Sequence, residues 1–236
     1  MSQEKNGKKN PWRQAVLAIF ISVFTVALVI AALFLTAGHW DWTRGWLYIG
    51  LSFSGESIRT GYIRRKNPDL LARRGKIGSG TKTWDIFLLG FFSLAYLGIL
   101  AVSALDKRYG WSEMSYWLWG AGFPLYVFYV AVVTSAMAVN PHFEKTARIQ
   151  HDQEHHVIDA GPYRIIRHPG YLAIIAGFII PVPFMLGSWW AFLPAFIAVL
   201  LLVIRTALED RLLRKELEGY EEYAGRVRFR LVPGIW

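Results

Sequence analysis

Cysteine is absent from the chain, which removes disulfide scaffolds, thiolate nucleophiles and cysteine-ligated metal centres from consideration. The compartment stays open, because a thiol-free protein suits any redox environment. Also missing are an HExxH zinc signature, a CxxC pair and the GxGxxG turn of dinucleotide-binding folds. No internal repeat and no low-complexity linker interrupts the sequence. Charge is scarce: 18% of the 236 residues are charged against 54% hydrophobic.

What is present is a set of long uncharged runs at 15–35, 86–104, 116–139, 171–187 and 188–204. They approach the ~20 residues that cross a ~30 Å hydrocarbon core as helix. A sixth run, 45–58, is weakened by Glu56. A soluble domain would show polar interruptions at helical period instead of such blocks. The expected class is therefore all-α: a polytopic integral membrane bundle of about six helices, with membrane lipids as its surroundings. The first run follows Lys5, Lys8, Lys9 and Arg13 but exceeds the ~7–15 residues of a signal-peptide core, so retention as an anchor is expected. Eleven tryptophans, among them Trp40, Trp42, Trp46, Trp84, Trp111, Trp117, Trp119, Trp189 and Trp190 near expected helix ends, read as interfacial anchors.

The net charge of +9 does not point to nucleic acid, because its distribution alternates along the chain. Basic residues crowd the N-terminus, the 59–84 stretch (Arg64, Arg65, Lys66, Arg73, Arg74, Lys76) and the tail (Arg211, Arg214, Lys215, Arg226, Arg228, Arg230). The positive-inside rule then puts both termini, 59–84, 140–170 and the tail in the cytoplasm, which agrees with an even number of crossings. The 59–84 stretch reads as a surface loop with a helix starting at Pro68, held to anionic headgroups.

Everything reads as one membrane domain over 1–236, with plainer helices over 1–139 and a chemically richer half over 140–236. The last two apolar runs meet at Gly187-Ser188, below Pro181 and Pro183, which suggests a kinked helical hairpin returning to one face. Past Ile204, Leu208, Leu212, Leu213 and Leu217 recur at helical spacing among charges, so 205–223 is expected to be an amphipathic helix along the membrane surface.

Two polar clusters flank that hairpin. The first contains Gln150, His151, Asp152, Glu154, His155 and His156, then Gly161-Pro162-Tyr163 and Arg167-His168-Pro169-Gly170-Tyr171. Its histidines and acids permit either a solvated loop or, without any recognised ligand spacing, a metal; no metal is expected. The two glycine-bearing bends let a ligand approach the backbone, and Tyr163 and Tyr171 offer flat surfaces for a small planar one. The second cluster is Arg205, Glu209 and Asp210. Arg205 and Glu209 share a helix face, as an ordinary surface ion pair or as functional groups where the last span emerges.

His155, Gly161-Pro162-Tyr163, Arg167-His168-Pro169-Gly170-Tyr171, Arg205-x-x-x-Glu209-Asp210 and Tyr220-x-x-Tyr223-x-x-Arg226-Val227, in this order, resemble the isoprenylcysteine carboxyl methyltransferase family and the related phospholipid N-methyltransferases. The likeness is specific over about 140–234. It implies methyl transfer from S-adenosylmethionine to a membrane-embedded, lipid or lipidated acceptor. By resemblance, Gln150, His155, His156, Val157, Ile158, Tyr163, His168, Pro169, Gly170, Tyr171 and Glu209 would hold the cofactor. Arg205 would be the catalytic group and meet the acceptor's carboxylate, with Arg226 also on the substrate. The family's usual second glutamate is Asp210 here, and Asp210 is left outside the expected site.

The chemistry agrees with that implication. A carboxylate acceptor is ionised at neutral pH and needs no general base, so the protein's task is alignment, which can supply ~7–11 kcal/mol. A guanidinium suits such an acceptor through paired hydrogen bonds. A phospholipid amine acceptor, or an NADPH-dependent sterol-type reductase on a similar framework, remain the alternative readings.

Overall fold

The structure, a computed structural model, describes residues 24, 26–74 and 77–236. The basic N-terminal residues, the start of the first apolar run and Lys76 lie outside them. The described residues are helical with connecting turns, and no strand occurs among them. A short apolar helix α1 (Val26–Ala37) precedes α2 (Thr43–Lys66), α3 (Pro68–Arg74), α4 (Thr83–Tyr109) and α5 (Tyr116–Val139). After a mostly non-helical connection come α6 (Pro169–Ala173), a π-helical turn (Ile174–Ile179) and α7 (Pro181–Leu186), then α8 (Phe192–Glu216) and α9 (Tyr220–Arg226).

Four helical segments are long and apolar enough to cross a membrane: α4, α5, the continuous Pro169–Leu186 and α8. Their ends follow local chemistry. α4 stops at Gly110 in the left-handed conformation, which glycine enters without steric cost. Ser115 caps the N-terminus of α5 by accepting from Trp117 N–H at 3.4 Å. Asn140 ends α5 just before Pro141. The sixth expected run lies inside α2, a continuous 24-residue helix, but Arg44, Glu56 and Arg59 keep it out of the apolar set.

The core is built where α4 packs on α8 and α5 packs on the Pro169–Leu186 span. Ile99, Val133, Ile179, Met185, Ala198 and Leu202 are buried there. Phe87, Phe91, Leu94, Leu193, Phe196 and Leu200 face outward, as required of helices solvated by lipid. The expected proline kink takes the form of the π turn. Pro181 has no N–H to continue the α ladder, and Ile180 N–H reaches five residues back to the Ile175 carbonyl at 3.1 Å. Gly177 within that turn presses on α5, where an added Cβ would lie 2.4 Å from the Leu125 carbonyl oxygen.

Two expectations are corrected. The amphipathic stretch 205–223 is not a separate surface helix. No breaker follows Ile204, so α8 runs on to Glu216, and the chain turns only at Gly219 with φ 76°. Its leucines meet protein: Leu212 and Leu217 pack with Ala147, Ile149, Tyr220, Tyr223 and Ala224 in a second small core. The 59–84 stretch is not a surface loop. Its first part completes α2, a helix does begin at Pro68, and Arg73 and Arg74 donate inward to the carbonyls of Pro141 at 3.0 Å and Phe143 at 2.6 Å.

Candidate active site

A cavity of about 450 Å³ opens at the end of the bundle where α8 leaves the apolar core, within the ~300–1,000 Å³ typical of small-molecule sites. One wall is apolar and belongs to the spans: Leu89 and Phe92 of α4, Ile174, and Leu202 of α8. The other is the polar connection between α5 and α6. The cavity therefore has an oily side and a hydrogen-bonding side.

The connection is held by its own side chains. Asn140 accepts from His142 N–H at 2.8 Å and donates to the Tyr163 hydroxyl at 2.9 Å. Buried Gln150 donates to the His142 carbonyl at 2.8 Å. The His142 ring sits against His155 and His156, with centroids 4.4 and 4.9 Å apart, and burial lowers its pKa below the ordinary histidine value. No metal-ligating group of three His, Cys, Asp or Glu occurs among the described residues. Glu144 and Asp152 grip the Arg148 guanidinium at 2.9 and 2.6 Å, and these hydrogen bonds raise its pKa. Gly161, with φ 56°, starts the 3-10 turn Gly161–Arg164 that buries Tyr163. Tyr223 of α9 donates to the Tyr163 carbonyl at 2.7 Å, and burial pushes both phenols up.

His168 precedes α6, and its ring stacks on Tyr171 at 5.8 Å. The Tyr171 hydroxyl donates to Glu209 across 38 residues of sequence. Gly170 is required by close approach, because a Cβ there would meet the Phe143 ring at 2.6 Å. Arg205 lies over the Tyr171 ring at 5.1 Å. Its Nε and Nη2 are engaged with Asp85 at 2.6 and 3.1 Å, and Nη2 also donates to the Lys145 carbonyl at 2.6 Å. Asp210 is fully buried and accepts from Arg167 (2.7 Å), Arg230 (2.8 Å), the Tyr220 hydroxyl (3.1 Å) and Arg214 (3.3 Å), with His168 Nε2 at 3.3 Å. The tail locks on beside it: Arg167 N–H and His168 N–H donate to the carbonyls of Phe229 and Arg230, each at 3.0 Å.

Gln150, His155, His156, Val157, Ile158, Tyr163, His168, Gly170, Tyr171, Arg205 and Glu209, expected together from the sequence, all line this one cavity. Pro169 is buried as the first residue of α6 and is not part of the wall. Arg226 is not in the wall either; its side chain is 61% exposed and pairs with Asp159 at 3.3 Å. Sequence reasoning overlooked Asp85, Asn140, His142, Glu144, Arg148 and Arg74, and it undervalued Asp210. Asp85 carried a faint signal, a lone acid at the mouth of an apolar run, but there it also reads as an ordinary favourable charge in a helix's first turn.

Residues 122–215 match the model of the isoprenylcysteine carboxyl methyltransferase (ICMT) family, whose members are S-adenosylmethionine-dependent carboxyl methyltransferases. The match takes in most of α5, the polar connection, the Pro169–Leu186 span and nearly all of α8. Over that stretch the resemblance carried by the motifs is borne out, and with it the enzyme class and the cofactor. No curated protein matches the chain significantly.

Proposed function

We propose, from the family match over 122–215 as premise, that the chain methylates the carboxylate of a lipidic acceptor, foremost an isoprenylcysteine-like one, at the membrane surface. The observation that carries this reading is the two-sided cavity, with apolar span residues along one wall and the buried polar connection along the other. An acceptor with a hydrocarbon chain and an ionised head matches such walls.

The residues present suit S-adenosylmethionine. Tyr163, Tyr171 and the histidine rings offer stacking surfaces for a planar base and an electron-rich face for a cation. Glu209, bonded to Tyr171 and in no ion pair among the described residues, has an acceptor oxygen for ribose or amino groups. The cofactor supplies, when bound, a methyl group on a sulfonium. The chain's own work is to hold both partners in line and keep water out. In this reading, Gln150, His155, His156, Val157, Ile158, Tyr163, His168, Gly170, Tyr171 and Glu209 serve the cofactor, with Pro169 behind them as the first residue of α6. Arg205 serves the acceptor only with the part of its guanidinium that Asp85 and Lys145 leave free.

The placement that goes with this function has six crossings, with both termini and the cavity on the cytoplasmic side, where a water-soluble cofactor can enter. Because the chain contains no cysteine, single cysteines introduced near Glu218 and Tyr109 report sidedness directly. Labelling of the first only from the cytoplasmic side, and of the second only from the other, is expected.

The activity is tested by incubating the purified chain in lipid with methyl-labelled cofactor and N-acetyl-S-farnesylcysteine. Label is expected in a base-labile ester. Label on a phospholipid amine would substitute the N-methyltransferase reading, and NADPH consumption with a sterol-like substrate the reductase one.

A further inference from the structure

Three of the guanidinium groups lining the cavity are each neutralised by a carboxylate. Arg148 has Glu144 and Asp152, Arg167 has Asp210, and Arg205 has Asp85. Arg74, the last residue of α3, lies in the same wall and differs. Among the described residues no carboxylate oxygen comes within 4 Å of it. Its Nη1 donates to the Phe143 carbonyl at 2.6 Å, and the guanidinium lies 5.1 Å from the centre of the Phe143 ring. Neither partner carries a charge. Nearby Glu56 is already engaged by Arg59 and by the Tyr129 hydroxyl.

A partly buried cation without a counter-ion is costly unless something compensates it. Burial and the neighbouring positive charge of Arg59 push the Arg74 pKa down to about 10, so an anion arriving there would be favoured. Arg74 and Glu209 act on the Tyr163 hydroxyl in opposite senses, Glu209 raising and Arg74 lowering its pKa. The cavity wall thus holds one negative and one positive group, both near enough to act on the Tyr163 hydroxyl. A cationic donor and an anionic acceptor call for one group of each sign.

We infer that Arg74, which lies outside the matched stretch 122–215, is the residue that binds the acceptor's carboxylate and selects an acid over a neutral lipid. The inference rests on the carboxyl-methylation reading above and names the group in this chain that recognises the head of the acceptor. Phe143 holds the guanidinium from one side through its ring and its carbonyl. Gly170, by leaving room for that ring, ties the position of Arg74 to the bend that carries His168 and Tyr171. Arg205, engaged with Asp85 and lying over Tyr171, then adds to the acceptor only what its guanidinium has free.

The test compares binding of N-acetyl-S-farnesylcysteine with that of its carboxamide, measured on the full chain in lipid with the demethylated cofactor present. Wild type is expected to bind the acid about tenfold or more tightly, the worth of a charge-assisted hydrogen bond. Arg74→Gln is expected to bring the two within about twofold of each other, while cofactor affinity stays unchanged. Arg74→Lys, retaining the charge without the planar fork, is expected to fall between. An acid preference that survives in Arg74→Gln overturns the assignment but leaves the methylation reading standing. A parallel loss of cofactor affinity in both variants also overturns it, since Arg74 would then be a strut. A wild-type protein that does not prefer the acid overturns the carboxylate reading itself, and the assignment with it.

Discussion

Helix α4 carries a buried aspartate near each end, Asp85 and Asp106, about 30 Å apart at ~1.5 Å per residue. The surroundings of the two ends differ in kind. Among the described residues Asp106 accepts from neutral donors only: Ser112 N–H at 2.7 Å, the Ser112 hydroxyl at 2.6 Å and the Ser188 hydroxyl at 2.5 Å. Together with Arg44, which donates to the carbonyls of Phe184 and Met114 and stacks on Tyr116 at 4.2 Å, it clips two short connections together. Exposed Trp40, Trp46, Trp111, Trp117, Trp189 and Trp190 surround this end. At the other end the buried acids Asp85 and Asp210 are met by Arg205, Arg167, Arg214 and Arg230, and Arg205 and Arg167 also line the cavity. One end fastens a bundle with dipoles; the other assembles compensated charge around a hole. Charges in contact are coupled, so a single loss at the second end should spread further than one at the first.

The sharpest way to break this contrast is Asp210→Ala. It leaves the Arg167 guanidinium, whose side chain is 3% exposed, with only the carbonyls of Val227 and Arg228. A loss of about 3–5 kcal/mol is expected from uncovering a buried charge, together with cofactor binding; thermal melts and calorimetry report both. Arg205→Ala ranks next at about 3 kcal/mol, because Asp85 keeps the Ala147 N–H at 2.7 Å. A full-strength melting point in that variant would refute the view that Asp85 depends on it. Asp106→Asn, at the clip, should cost about 1–3 kcal/mol and leave cofactor affinity within about twofold. A large affinity loss there would erase the distinction between the ends.

The smallest effect is a pH dependence. Burial, and secondarily the nearby His156 and Arg73, lower the His142 pKa, while Gln150 and Glu144 oppose the shift. Below the ordinary value of about 6.5 the unfolded chain therefore takes up a proton that the folded chain resists. Stability should be level above that pH and decline as pH falls through it. Melts from about pH 8 to pH 5.5 should show a shallower decline for His142→Gln than for wild type.

The difference between the ends also explains what could be read from the sequence. The four spans were legible because charge is excluded from them, and the cofactor side of the cavity because its residues cluster in one short run ending at Tyr171. Glu209 was legible as a helix partner of Arg205. Asp85 and Arg74 were not, because each becomes a site residue only through contacts with distant chain, such as Asp85 with Arg205 across 120 residues. Asp210 looked like a shortened glutamate; its burial among three arginines and a tyrosine is a tertiary fact. Arg226 failed in the opposite sense, since a motif position ended on the surface beside Asp159. The leucines after Ile204 had a genuine helical period, but period does not say whether lipid or protein lies opposite.

One consequence of the tail's attachment concerns biosynthesis. The backbone partners of Arg167 and His168 are Phe229 and Arg230, the latter also a ligand of Asp210. Every span is therefore translated, and free to enter the bilayer, before the bend that carries His168 and Tyr171 has anything to close against. A nascent chain halted short of residue 229 would hold the four spans but lack the partners of that bend, so the pocket is latched only after those spans have been made.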